Sequence, residues 1–193
     1  MKNVLRADPA VSVRRLGLAF LIGITFWCAG CTPRFNWREI RPEGQGFVVL
    51  MPERPATLSR EINLDGLTVT MHMSGARIDR HLFAVGTAAV DTSDPAVAAR
   101  ALAAMRADML RNIAAASASE RPVSLAVVDL SGRETGRQAA LRVDARGQVG
   151  GQPVRMRALF AERGGRLWQA VAIEPEARTA EADTMLDSFR LTE

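Results

Sequence analysis

Across residues 57–74, apolar and polar positions alternate in two runs that meet at Asp65-Gly66. A period of two is the mark of a strand with one buried face. Asp-Gly is a favoured pair for the two-residue type I′ turn, whose central residues need positive φ. Folding 57–64 onto 67–74 through that turn sets Leu64 opposite Leu67, Ile62 opposite Val69 and Leu58 opposite Met73 on one face. Asn63/Thr68, Glu61/Thr70 and Ser59/His72 fall on the other. Turn chemistry and alternation select the same register independently.

Residues 46–52 (GFVVLMP) read as a brief apolar strand closed by Pro52, and 82–90 (LFAVGTAAV) as a central strand covered on both faces. Asp94-Pro95 opens a helix, the carboxylate as cap and the proline in the first turn. The pattern carries that helix to about residue 117, with Leu102, Met105, Met109 and Ile113 as its buried stripe. A strand follows at 123–130. Then comes a three-stranded meander, 137–149, 153–161 and 166–174, joined across Gly150-Gly151 and Gly164-Gly165. Its register aligns Leu141, Val143 and Ala145 with Phe160, Ala158 and Met156, and those with Gln169, Val171 and Ile173. Residues 179–188 form a terminal helix, with Ala182, Met185, Leu186 and then Phe189 on one side. The fold class expected is α+β: one domain over 46–193, an antiparallel sheet covered by a long mid-chain helix and a C-terminal helix.

The leader has three parts. Residues 1–15 carry Lys2, Arg6, Arg14 and Arg15, residues 16–30 (LGLAFLIGITFWCAG) are uncharged, and Ala29-Gly30 precedes Cys31. The uncharged stretch is short for a bilayer span, which needs ~20 residues, and suits a signal-peptide core. The segment resembles a lipobox, with Cys28 where Leu is usual. That resemblance implies recognition of Ala29 and Gly30 by lipoprotein signal peptidase, removal of 1–30 and lipid attachment at Cys31. Residues 31–45 then form the lipidated N-terminus and a tether. Arg14-Arg15 lacks the full twin-arginine surround and reads as an ordinary basic n-region. An uncleaved anchor would leave the domain on the same side of the membrane. Thr32, not Asp, after the cysteine implies the outer membrane, facing the periplasm. At ~0.8 kcal/mol per buried CH₂, several acyl chains make attachment effectively permanent.

Charge changes the picture less than a pI near 10.3 suggests. Of 25 Lys and Arg and 21 Asp and Glu, the leader holds Lys2, Arg6, Arg14, Arg15 and Asp8, leaving 21 against 20. Bulk charge therefore gives no reason to expect nucleic-acid binding. Loss of Cys28 and acylation of Cys31 would leave no thiol for catalysis, disulfides or metal.

Candidate chemistry is sparse. The histidines are His72 and His81, and no nucleophile elbow, Walker loop or dinucleotide fingerprint is present. Met71-His72-Met73 could suggest copper, but on a strand the two Met side chains face opposite to His72 and match the apolar face of the hairpin. His81 is expected in a loop. The expectation is no enzyme, no cofactor and no metal. The second face of the meander carries Arg142, Asp144 and Arg146, then Arg155 and Arg157, then Trp168. Its register sets Asp144 opposite Arg157, Arg155 opposite Glu174, and Arg146 against Arg155, a like-charge pair. Arg142, Arg146, Arg155, Arg157 and Trp168 are the candidate face for an anion or an acidic partner. The other reading is an ordinary solvated face with Trp168 packed under the terminal helix.

The layout resembles the PsbP-like superfamily, which includes photosystem II subunit P, a Ran-binding nuclear import factor and periplasmic lipoproteins of the DcrB type. The resembling features are Gly46, Phe47 and Pro52 of the opening strand, the early hairpin, a helix before a strand ending near Gly132, the meander, and a terminal helix closing on Ser188-Phe189. The resemblance implies an αβα sandwich and an accessory or binding role, with no catalytic residues to carry over. The expected function is a non-enzymatic cell-envelope lipoprotein acting as a protein-interaction module, membrane-bound through its lipid. The alternative is a carrier or sensor of a small anionic or lipid ligand.

Overall fold

Asp65 and Gly66 take φ of 54° and 87°, so the hairpin closes through a turn of positive φ as its sequence requires. Strands β3 (Ala56–Leu64) and β4 (Leu67–Ile78) pair from Leu64↔Leu67 to Ala56↔Gly75. The computed structural model describes residues 34–91, 94–175 and 180–193. Cys31, Ala29 and Gly30 lie outside the described residues. The other elements are β1 (Arg38–Ile40), β2 (Phe47–Met51), β5 (His81–Ala89), helix α1 (Pro95–Asn112), β6 (Ser117–Val128), β7 (Glu134–Val149), β8 (Gln152–Arg163), β9 (Arg166–Pro175), helix α2 (Ala180–Ser188) and β10 (Arg190–Thr192). They form one sheet in the order β1-β2-β10-β6-β7-β8-β9-β5-β4-β3. Neighbours are antiparallel except β10 and β6, which run parallel through Leu191↔Val127.

The expected α+β class, a sheet covered by a long mid-chain helix and a C-terminal helix in an αβα sandwich, is corrected. The described residues are mostly sheet: 59% of them are strand, in a ten-stranded curled half-barrel with two short helices. The physical reasons are local. Helix α1 stops at Asn112 because Ala114 turns to φ 44°, and its amide and that of Ala115 bond back to Arg111 O and Leu110 O. That is the Schellman arrangement, which usually carries glycine at the left-handed position. The released chain returns directly as β6, six residues earlier than its apolar pattern suggests. Only Ala98, Ala101 and Met105 of α1 are fully buried.

Two apolar clusters line the sheet. One joins Phe47, Phe83, Leu159 and Trp168 to Met185 and Leu186 of α2. The other joins Leu64, Met71, Met156 and Phe160 to Ala98, Ala101 and Met105 of α1 and to Ile113 just past its end; of the expected stripe, Leu102 and Met109 are only partly buried. The stretch expected as tether contributes, in its described part, β1 and the side chains of Phe35, Trp37 and Ile40, which pack on the first cluster. Phe35 and Trp37 meet Phe83 edge-on at 6.3 and 5.8 Å. Gly147 lets the end of α1 touch β7: Gln148 N donates to Ile113 O at 2.6 Å, where no side chain fits between.

Candidate functional site

The meander pairs in the expected register, Asp144↔Arg157, Arg146↔Arg155 and Arg155↔Glu174. The side chains choose other partners. Arg155 reaches back to Asp144, Nε to Oδ1 at 2.9 Å, and Arg157 reaches Glu174, Nη2 to Oε2 at 2.8 Å. Each is a diagonal rather than a direct cross-strand pair, within range of a long side chain. Asp144 beside Arg155 strengthens its charged form, raising the guanidinium above its ordinary pKa by hydrogen bonding, against a smaller desolvation effect.

Helix α2 lies over this face and completes a network. Asp183 accepts from both Arg142 and Arg157 at 2.6 Å, and Asp187 accepts from Arg142 at 2.7 Å. Glu174 Oε1 accepts the Ala182 amide at 3.1 Å, a carboxylate on the first turn of the helix. Arg157 and Glu174 are buried. Trp168 is buried too, and its Nε1 donates to Gln45 O at 2.9 Å. Of the five residues singled out from sequence, Arg142, Arg155 and Arg157 are engaged with carboxylates, Trp168 belongs to the core, and Arg146 is held in a further interaction.

The open chemistry lies beside this network. A cleft of about 300 Å³ between β6 and the end of α2 is lined by Arg121, Arg137, Arg142 and Arg190 with a single carboxylate, Asp187. Arg137 donates to Glu134 and Ser124, and Arg190 to Ser188 O. The Arg121 side chain makes no hydrogen bond or ion pair among the described residues. Leu159, Leu186 and Phe189 give the cleft an apolar floor. Arg121, Arg137 and Arg190 were not legible as a set: they come from three strands, and no spacing links them.

A second cleft, about 380 Å³, lies beside β4 and β5 and is lined by Gln45, His72, Thr87, Asp91 and Arg166. Its polar groups are largely engaged: His72 Nδ1 with Ser59 at 2.7 Å, Thr87 with Gln45, and Arg166 with Gly44 O. Met71 is in the core, on the face of the strand opposite to His72. His81, expected in a loop, is instead the first residue of β5 and is buried.

No family model and no curated protein matches the chain. Among solved structures it is similar to the solution structure of cyanobacterial PsbP (CyanoP) from Synechocystis sp. PCC 6803. The identity is 14%, the TM-score 0.46, and the match covers 85% of this chain and 96% of that one. The likeness carries no activity, ligand or partner to this protein.

Proposed function

We propose that this protein is an exported accessory lipoprotein, anchored through Cys31 to the periplasmic side of the outer membrane, that binds an acidic segment of another envelope protein. The cleft between β6 and α2 carries the reading: Arg121, Arg137, Arg142 and Arg190 line it over an apolar floor, and although Glu134, Asp183 and Asp187 hold Arg137 and Arg142, the Arg121 guanidinium has no ion pair among the described residues. Guanidinium forks suit carboxylates, and an apolar floor supplies the dry centre a protein segment buries. The lipobox-like leader supports the anchoring. An enzymatic role has no support in the groups that line this cleft.

A photo-crosslinker at Ser124, on the cleft wall, tests the binding in whole cells. The reading expects a crosslink to an acidic stretch of an envelope protein, abolished by Arg121→Glu/Arg190→Glu. A crosslink unchanged by the charge reversal, or one to lipid alone, overturns it. Cys31→Ala tests the anchor and is expected to leave an unprocessed precursor without lipid. Normal processing and membrane attachment of that variant would remove the lipoprotein reading.

A further inference from the structure

His81 is 1% exposed, and among the described residues neither ring nitrogen has a hydrogen-bond partner. Its ring stacks on Phe83 at 6.2 Å and meets Phe35 edge-on at 5.5 Å. A buried imidazole surrounded by rings, with both nitrogens unmatched among the described residues, calls for a partner. Strand pairing shows where it would sit. The β5–β9 ladder runs to Leu82↔Ile173, so the next rung brings His81 to Glu174. Glu181, on the first turn of α2, supplies a second carboxylate. One ligand atom from each of His81, Glu174 and Glu181 lies within 4.8 Å of the other two.

We propose that these three side chains bind a first-row divalent cation, with zinc as its representative. One imidazole and two carboxylates suit zinc, whose three-protein-ligand sites keep a fourth position for water. With bonds of ~2.1 Å, tetrahedral ligands stand roughly 3.4 Å apart. Glu181, the least buried of the three, closes the remaining gap. Arg157 and the Ala182 amide each take one lone pair of a Glu174 oxygen and leave another. They orient the ligand as outer contacts do in metal sites. The ion would tie β5, β9 and the start of α2 together.

The test uses the full chain in detergent, with Cys28 and Cys31 alkylated so that no thiol competes, stripped of metal and titrated with zinc against a chromophoric chelator. One zinc per chain is expected, with a raised Tm. Glu181→Gln and His81→Phe are each expected to bind roughly tenfold more weakly or worse, since loss of even an outer contact costs ~10–100-fold. His72→Gln, at the other histidine, should bind as the parent does. Glu181 makes an interaction of its own, so each metal-free protein serves as its own reference, and the zinc-induced rise in Tm seen in the parent should be missing in Glu181→Gln. The site is disproved if the parent takes up no stoichiometric zinc, or if Glu181→Gln binds zinc as tightly as the parent.

Discussion

Arg157 Nη2 donates to Glu174 Oε2 at 2.8 Å, both side chains shut off from solvent under α2. Burying two charges is unfavourable, and their attraction offsets it only with further contacts. Here these are Arg157 to Asp183 at 2.6 Å and Glu174 to the Ala182 amide at 3.1 Å. Removing one partner strands the other. Glu174→Gln or Arg157→Met should therefore cost about 3–5 kcal/mol in urea unfolding. Arg157→Met with Glu174→Met should be more stable than Arg157→Met alone. A single variant within about 0.5 kcal/mol of the parent would mean that the pair contributes no more than a surface pair.

Ala114 holds φ 44° at the end of α1, where the Ala115 amide bonds to Leu110 O at 3.0 Å. An L-residue in the left-handed region costs about 1–2 kcal/mol, and glycine has no such penalty. Ala114→Gly should raise stability by up to ~1 kcal/mol, less the greater freedom of glycine in the unfolded chain. Thermal melting reads this as a higher Tm; a lower one would mean that the Ala114 methyl group contributes more than the strain costs.

The same residue explains why the helix looked longer in sequence than it is. The usual punctuation, glycine after the last turn, is missing, and the alanine-rich stretch gives no other stop. Where glycine marks the turns, the pattern was legible. Gly150, Gly151, Gly164 and Gly165 all take positive φ, and the meander pairs as its alternation requires. The first half of β6 was not legible, because SASERP is exposed on both faces and shows no alternation. The short strands β1 and β10 hold three residues each, too few for a period. The charged face was read in register but not in partners, since long side chains take diagonal rungs and α2 is positioned by tertiary packing. His81 and Glu174 share a rung only through strand pairing, so no motif announces them.

Gly147 is required by a contact. A Cβ there would stand 2.1 Å from Ile113 O and 3.2 Å from Ala114 O, backbone atoms that cannot rotate away. Gly147→Ala must push the end of α1 off β7, at a cost of about 1–3 kcal/mol. Hydrogen exchange should quicken at the Gln148 and Ala116 amides, which bond to Ile113 O and Arg146 O. Gly136 faces open space, and Gly136→Ala should stay within about 0.5 kcal/mol of the parent. Equal effects at the two positions would contradict the close approach.

Asp129 organises the turn between β6 and β7. Its Oδ1 accepts from Ser131 Oγ at 2.6 Å, Ser131 N at 2.9 Å and Arg133 N at 3.0 Å. These bonds, the Ser131 hydroxyl foremost, hold its carboxyl below the ordinary 3.8, against a smaller desolvation effect. A carboxylate lowered in the folded state contributes stability that is present above the unfolded value. That contribution is lost as the pH falls through the folded one. The Asp129 side-chain carbon should thus titrate by NMR with a midpoint below 3.8. Protection of the Ser131 and Arg133 amides should fall over the same interval. In Ser131→Ala the midpoint should rise toward the ordinary value, because the strongest of the bonds is gone. A midpoint that does not move on that substitution would assign the lowered pKa to the backbone amides and Arg133 instead.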